Sequence, residues 1–224
     1  IVEDGGGDLK KCFQCATCSM VCGLSHGDRP FPRKEMIWAQ WGLRDRLMSD
    51  PDVWICHQCG DCSTQCPRGA RPGDVLAAIR REAIFHYAVP ASLARWVNDP
   101  ARLLPVLLVP AVLLVLAMLL GGPLGRVLGI EPEAAVGGHW EYSHMFPHWL
   151  LIVFFTFFWG VAIAAAGVGV VRFWNAMQAA DAGDPGVRPA KPLLTTIVDV
   201  VKDLLLHDRF AQCTAHRSRY VAHL

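Results

Sequence analysis

Eight cysteines in the first third of the chain have a spacing suited to metal binding. The first set is Cys12, Cys15, Cys18 and Cys22, and the second set is Cys56, Cys59, Cys62 and Cys66, followed by Pro67. Both sets read C-x2-C-x2-C-x3-C, which is typical of proteins that hold two [4Fe–4S] clusters. In such a motif three thiolates wrap one cluster from a single tight loop.

The fourth cysteine of each motif is expected to serve the other cluster. Three residues separate it from the third cysteine, so it lies where the chain already turns into a following helix and points away from the first three thiolates. The sequence therefore predicts two ligand sets that cross between the motifs. One set is Cys12, Cys15, Cys18 and Cys66, and the other is Cys56, Cys59, Cys62 and Cys22.

Two other uses of eight cysteines compete with this interpretation. Four disulfides would be strained between cysteines packed this tightly and would leave the duplicated spacing unexplained. Structural zinc sites usually pair separated C-x2-C units and do not need a third cysteine in register. The ninth cysteine, Cys213, stands alone and is expected to be a free thiol.

The elements around the motifs predict a small helical domain over residues 1–98, internally duplicated and ferredoxin-like. Between the motifs, Arg33–Leu47 is helix-like, and Trp38 and Trp41 are expected in the core. After the second motif, Asp74 is expected to cap a helix through His86. The apolar face of that helix is formed by Val75, Leu76, Ile79 and Ala83.

Basic residues flank both motifs. They either stabilise an added electron and attract an acidic partner, or belong to ordinary solvated surface, and the sequence leaves both readings open. They are Lys10, Lys11, Arg68, Arg71, Arg80 and Arg81.

Residues 99–224 have a different character and predict a membrane domain. Leu103–Leu120 and His148–Val171 contain 18 and 24 residues without Asp, Glu, Lys or Arg. Each is long enough to cross a hydrocarbon core of about 30 Å, so we expect transmembrane helices near 103–120 and 148–171.

Loop charge predicts the orientation of these spans. Residues 121–147 contain one basic residue, whereas residues 172–220 contain seven. The positive-inside rule then places the second loop and the cysteine domain in the cytoplasm, in a multi-pass protein of the inner membrane.

Within that loop, residues 193–207 predict an amphipathic helix that either lies on the membrane surface or packs beneath the clusters. We expect a fragment, because the chain starts at Ile1 and a third span could begin at 221–224.

The motifs resemble a known family. The resemblance covers most of residues 8–98 and is carried by Lys10–Cys18, Arg33–Trp38, Trp54–Cys62, Cys66–Ala70 and Pro72–Leu76. These segments are similar to the C subunits of quinone-interacting membrane-bound oxidoreductases. That family joins a cluster-binding part like that of heterodisulfide reductase to a cytochrome b-like membrane part, and it occurs in sulfur metabolisers. One departure is Gly23, where a proline commonly follows the fourth cysteine.

The resemblance implies a function, cofactors and partners. The membrane part would exchange electrons with menaquinone through haem b, and the clusters would pass them to flavin and iron–sulfur subunits A and B, coupled to adenylylsulfate reductase. Membrane parts of the family have histidines near the positions of His148 and His223, so the resemblance makes these two the best haem ligand candidates. We expect no nucleic acid partner. The chain has no dinucleotide fingerprint, so flavin chemistry would belong to the partners.

The sequence leaves two other functions open. One is the equivalent subunit of a heterodisulfide-reductase-type or sulfite-reductase-associated membrane complex. The other is a structural membrane anchor whose clusters never change oxidation state.

Overall fold

The structure, a computed structural model, describes residues 1–128, 148–181 and 192–206. Every regular element in these ranges is helical. Seven short or medium helices come first: α1 Thr17–Val21, α2 Arg33–Gln40, α3 Arg44–Ser49, α4 Asp52–Ile55, α5 Asp61–Thr64, α6 Pro72–Tyr87 and α7 Ala91–Val97. Three apolar or amphipathic helices follow: α8 Leu103–Val127, α9 His148–Asp181 and α10 Leu193–Leu206. Cys213 and His223 lie outside the described residues.

The chain divides into two compact units. The first comprises Ile1–Tyr87 together with Val171–Leu224, and the second comprises Ala88–Val170. The cysteine motifs lie in the first unit. The predicted domain boundary at residue 98 stays a prediction.

The core of the first unit is built around one face of α6. Val75, Leu76 and Ile79 are 0% exposed and Ala83 is 2% exposed, so the predicted apolar face is confirmed. Their burial removes apolar surface from water, which is the main favourable contribution to folding. The rest of this core comes from Leu9, Phe31, Met36, Leu47, Met48, Val53 and Ala70.

The segment between the motifs differs from the sequence prediction. The helix expected over Arg33–Leu47 is two helices, because the chain turns at Trp41–Leu43 and Gly42 adopts a left-handed φ of +68°. Glycine takes this conformation without the steric cost of a Cβ. Trp41 lies at this turn and is 67% exposed, so its expected place in the core was wrong.

The predicted cap of α6 was also wrong. The helix begins at Pro72, two residues before Asp74, and a proline suits the first helical turn because its missing N–H would be unpaired there. Asp74 lies inside the first turn, where its carboxylate forms a 2.7 Å ion pair with Arg71.

Helices α8 and α9 are long and apolar enough to cross a membrane. Both extend beyond the predicted spans, to Val127 and Asp181 respectively. The most apolar stretch of each is not buried against the rest of the described chain, which is unlike the core helix of a soluble protein. Helix α10 has the predicted amphipathic pattern, and its apolar stripe of Leu194, Ile197, Val198, Val201, Leu204 and Leu205 is exposed.

Candidate iron–sulfur centre

Two cavities in the first unit are each lined by four of the motif cysteines. Cys12, Cys15, Cys18 and Cys66 line the first site, a cavity of about 360 Å³ including its open mouth. Cys22, Cys56, Cys59 and Cys62 line the second site, a similar cavity of about 550 Å³. The fourth cysteine of each motif thus lies beside the first three of the other motif. Helices α1 and α5, which follow the two loops, pack against each other and bring about this exchange.

The two cysteine loops have the same backbone shape. Gln14 and Gln58, which precede the second cysteine of each motif, have φ values of +65° and +55°. Ala16 and Gly60, which follow it, have φ values of +69° and +90°. Left-handed residues at matching positions curl each loop around its cavity, so the duplication visible in the sequence is also a duplication of conformation.

Gly60→Ala should destabilise the protein by about 1 kcal/mol, because a Cβ is disfavoured in the left-handed region. No atom lies within 4 Å of the added Cβ, so backbone strain alone accounts for the effect. Gly27→Ala is the matched control, since its Cβ also meets nothing within 4 Å and its φ is not left-handed. Thermal melts of the cluster-loaded proteins check this, and equal melting temperatures for both variants would contradict it.

Helix α2 holds the first loop at both of its ends. At the beginning of α2, Arg33 Nε donates to the carbonyl of Gln14 at 3.2 Å and Arg33 N donates to Ser19 Oγ at 3.2 Å. At its end, Gln40 Nε2 donates to the carbonyl of Cys12 at 2.7 Å, and Gln40 Oε1 accepts from Gln14 Nε2 at 2.9 Å. Two of these bonds pair the carbonyls of Gln14 and Cys12, which the left-handed loop leaves without a helical partner.

Helix α6 has the same role for the second loop. Arg80 Nε donates to the carbonyl of Val53 at 2.7 Å, and its Nη2 donates to the carbonyl of Cys56. Gln58 Nε2 donates to the carbonyl of Gly73 at 3.2 Å. A Cβ on Gly73 would lie 3.1 Å from Ser63 Oγ, so the absence of a side chain there lets α6 approach the helix α5 that follows the second loop.

The donor set fits a cationic metal cluster. Burial, with a smaller contribution from neighbouring thiolates, raises the pKa of Cys18 to about 11 and that of Cys62 to about 12. Several thiolates this close are stable only beside a strong positive charge, which iron ions would supply. Backbone N–H groups of Gln58 and Ala70 also lie 3.4 and 3.3 Å from the sulfurs of Cys56 and Cys66. Hydrogen bonds of this kind stabilise negative charge on cluster sulfur.

A buried group of charges lies next to these loops. Lys34 Nζ lies 3.3 Å from Glu35 Oε1 and 3.0 Å from Asp50 Oδ2, and it also contacts Asp52. The three carboxylates have the arrangement of a cation site, and the Lys34 ammonium group occupies the cation position. Burial would lower the pKa of Lys34, but the carboxylates outweigh it and raise that pKa. Burial raises the pKa of Glu35 to about 8.

An aromatic contact connects the second loop to α9. Trp54, two residues before Cys56, packs edge to face on Phe173 with ring centroids 6.0 Å apart. Tyr87 at the end of α6 packs on the same ring at 5.3 Å. Phe173 follows the apolar segment of α9 by two residues. The chain segment after that apolar stretch therefore packs beside the second motif.

The arrangement of the two cysteine sites does not test the histidines that were predicted to bind haem. His148 is the first residue of α9 and is exposed. His223 lies outside the described residues, so the predicted haem site stays a prediction.

The polar residues that hold the two loops were not predicted from the sequence to do so. They are the glutamines Gln14, Gln40 and Gln58 and the arginines Arg33 and Arg80, which bind loop carbonyls. One signal was available, because Gln14 and Gln58 occupy the same position in the two motifs, Cys12-Phe13-Gln14-Cys15 and Cys56-His57-Gln58-Cys59. No pattern in the sequence marks Gln40, whose backbone partners are 28 and 31 residues away in the chain.

Residues 8–70 match the family of 4Fe-4S dicluster domains. A protein of Archaeoglobus profundus that is described as like the C subunit of heterodisulfide reductase is 38% identical over 90 residues, 40% of this chain and 48% of that protein. The C subunit of the H(2):CoB-CoM heterodisulfide,ferredoxin reductase of Methanothermobacter marburgensis is 40% identical over 80 residues, 35% of this chain and 43% of that protein.

A third relative extends the same group. The C subunit of the ferredoxin:CoB-CoM heterodisulfide reductase of Methanosarcina mazei is 30% identical over 84 residues, 38% of this chain and 52% of that protein. The chain thus spans about half the length of these curated relatives. Its homologues are heterodisulfide reductase C-type iron–sulfur electron-transfer proteins with a dicluster domain. No solved structure matches the chain significantly.

Proposed function

We propose that this chain is the cluster-carrying member of a membrane-bound oxidoreductase complex that links the quinone pool to cytoplasmic subunits. Electrons would move between menaquinol, with haem b, in the membrane and flavin and iron–sulfur subunits A and B in the cytoplasm. Adenylylsulfate reductase would be the coupled enzyme. This is the role of the C subunit of a quinone-interacting membrane-bound oxidoreductase. A bound [4Fe–4S] cluster supplies one-electron transfer, and the chain supplies its position and electrostatic environment.

The observation that carries this proposal is the pair of four-cysteine sites in a chain that also has two unburied apolar helices. Two sites in one small domain support a relay, because an electron carrier needs successive centres within reach of each other. The similarity of residues 8–70 to dicluster domains supports the cluster type. The contact of Trp54 with Phe173 gives the second site an aromatic neighbour from the part of α9 that follows its apolar segment.

The proposed ligands are the cysteines that share each cavity. Cys12, Cys15, Cys18 and Cys66 would hold one cluster, and Cys22, Cys56, Cys59 and Cys62 would hold the other. Because both motifs precede α8 in the chain, and two apolar segments separate them from the basic loop after α9, the positive-inside rule supports a cytoplasmic position for them.

A reduced-minus-oxidised spectrum of the detergent-purified protein, with a menaquinol analogue as the reductant, tests the quinone link. We expect bleaching of the cluster absorbance together with a b-type haem band. His148→Ala should remove the haem band, whereas His26→Ala, an exposed histidine in the cysteine domain, should leave it unchanged. Bleaching without any haem band would refute the haem part of the proposal. A cluster spectrum that the menaquinol analogue does not bleach would refute the quinone part.

A second candidate is the corresponding subunit of a heterodisulfide-reductase-type membrane complex. The names of the relatives favour it, since they are C subunits of CoB-CoM heterodisulfide reductases. The two candidates share the sites described above and differ in the partner subunits. Purification of the intact complex distinguishes them, because two flavin-containing partners support the first and a disulfide-reducing partner supports the second.

A further inference from the structure

The two cysteine sites differ in the solvent exposure of their cysteines. Cys15 of the first site is exposed, whereas each of the other seven motif cysteines is half-buried or buried. All eight lie within the described residues. Because the rate of electron tunnelling falls steeply with distance, direct contact with Cys15 would give a partner a short path to the first site.

The charges around the two sites also differ. Arg33 and Arg68 line the first cavity, and among the described residues no carboxylate lines it. Asp61 and His57 line the second cavity, beside which the guanidinium of Arg80 binds the Cys56 carbonyl from α6. The first site is therefore the more positive of the two, and its mouth attracts anions.

An exposed aromatic ring and a cation stand together at the mouth of the first site. Phe13 is 58% exposed, and the guanidinium of Arg68 lies 5.9 Å from the centre of its ring. Aromatic and arginine side chains are enriched among the residues that contribute most to binding at protein interfaces. We call Phe13, Cys15 and Arg68 the Phe13 surface.

The second site has a different neighbour. Trp54 lies two residues before Cys56 and packs on Phe173, which lies two residues after the apolar segment of α9. This aromatic packing already occupies the side of the second site at Trp54. The first site, whose Cys15 is exposed, is the one open to a soluble protein.

We propose that the Phe13 surface is the docking surface for an acidic redox protein, which exchanges single electrons with the first site past Cys15. This inference rests on the proposed function as an electron carrier. The partner would present carboxylates to Arg68 and an apolar patch to Phe13. One electron crosses the interface in each encounter, and no bond forms or breaks.

Stopped-flow oxidation of the dithionite-reduced, detergent-purified protein by hexacyanoferrate(III) tests the surface with an anionic probe. Each hexacyanoferrate(III) accepts one electron and becomes hexacyanoferrate(II), and the protein loses that electron. Arg68→Glu should lower the second-order rate constant by roughly threefold to tenfold at low ionic strength, because electrostatic steering reverses at the mouth of the site. The difference should shrink at high ionic strength. With cationic hexaammineruthenium(III) the same variant should react no more slowly than the wild type.

Arg46→Glu is the matched control, because Arg46 is exposed and its guanidinium also covers an aromatic ring, that of Trp38 at 5.9 Å, away from both cavities. Equal effects of the two variants would overturn the inference, since only net charge would then matter. Self-association that depends on Arg68 in analytical ultracentrifugation would assign the surface to a second copy and would also overturn it. Iron content and visible absorbance are measured first, because a protein without clusters would refute the proposed function itself, separately from the docking surface.

Discussion

Cys22→Ser should remove the cluster associated with the second motif and leave that of the first motif in place. Cys66→Ser should do the reverse. Each variant should retain about four of eight iron atoms per chain, since one [4Fe–4S] cluster contains four. The reason is the geometry of the cavities, in which Cys22 lies beside Cys56, Cys59 and Cys62, and Cys66 lies beside Cys12, Cys15 and Cys18.

Electron paramagnetic resonance of the reduced proteins separates the two outcomes. The wild type should show the broadened signal of two interacting clusters, and each variant should show a simpler signal from the remaining one. Cys213→Ser is the control, because Cys213 belongs to neither motif. Loss of the same signal in Cys22→Ser as in Cys12→Ser would mean that ligands do not cross between the motifs.

Lys34→Met should destabilise the protein by about 3 to 5 kcal/mol, which is typical when one partner of a buried charged group is removed. The Lys34 side chain is 14% exposed, and Glu35 beside it is 0% exposed. Asp50 is 5% exposed and its Oδ2 lies 3.0 Å from Lys34 Nζ, so removal of the ammonium group would leave that buried carboxylate without its cation. Thermal melts followed by cluster absorbance measure the effect.

Lys11→Met is the matched control for this prediction. Lys11 also forms an ion pair, 2.6 Å from Asp8, but its side chain is 57% exposed and water replaces the lost contact. We expect little or no change in its melting temperature. A Lys34→Met protein as stable as Lys11→Met would mean that the buried carboxylates are protonated and need no cation.

The pH dependence of stability provides a second readout of the same group. Glu35 has a pKa of about 8 in the folded protein against 4.5 in its ordinary state, so the folded protein binds that proton more tightly. This contribution to stability is full at low pH and is lost as the pH rises from about 5 to about 8. In the Glu35→Gln variant, the stability of the folded protein should fall less over the same pH range. At alkaline pH this variant should melt at a higher temperature than the wild type.

Local sequence alone determined the cysteine loops and the apolar elements. A spacing of two residues between cysteines forces three thiols onto one short loop, whatever the rest of the chain does. The apolar face of α6 and the two long apolar helices follow from periodicity and length, which are also local properties. The ligand sets predicted from the spacing remain a prediction until the serine variants are made.

Other features depended on residues far apart in the chain. The break at Gly42 was missed because the helix pattern of Arg33–Leu47 is compatible with one helix, whereas in the structure α2 and α3 pack against each other and against α6. Trp41 was assigned to the core by its residue type, yet the turn at Gly42 carries it to the surface.

The side chains that hydrogen-bond to the two cysteine loops come together only in the tertiary structure. Gln40 reaches the Cys12 carbonyl across 28 residues, and Arg80 reaches the Cys56 carbonyl across 24. Lys34 meets Asp50 because α2 packs against α3, and Trp54 meets Phe173 although more than a hundred residues separate them. Hydrogen bonds and ion pairs of this kind need defined side-chain positions, and those positions exist only after the helices have packed.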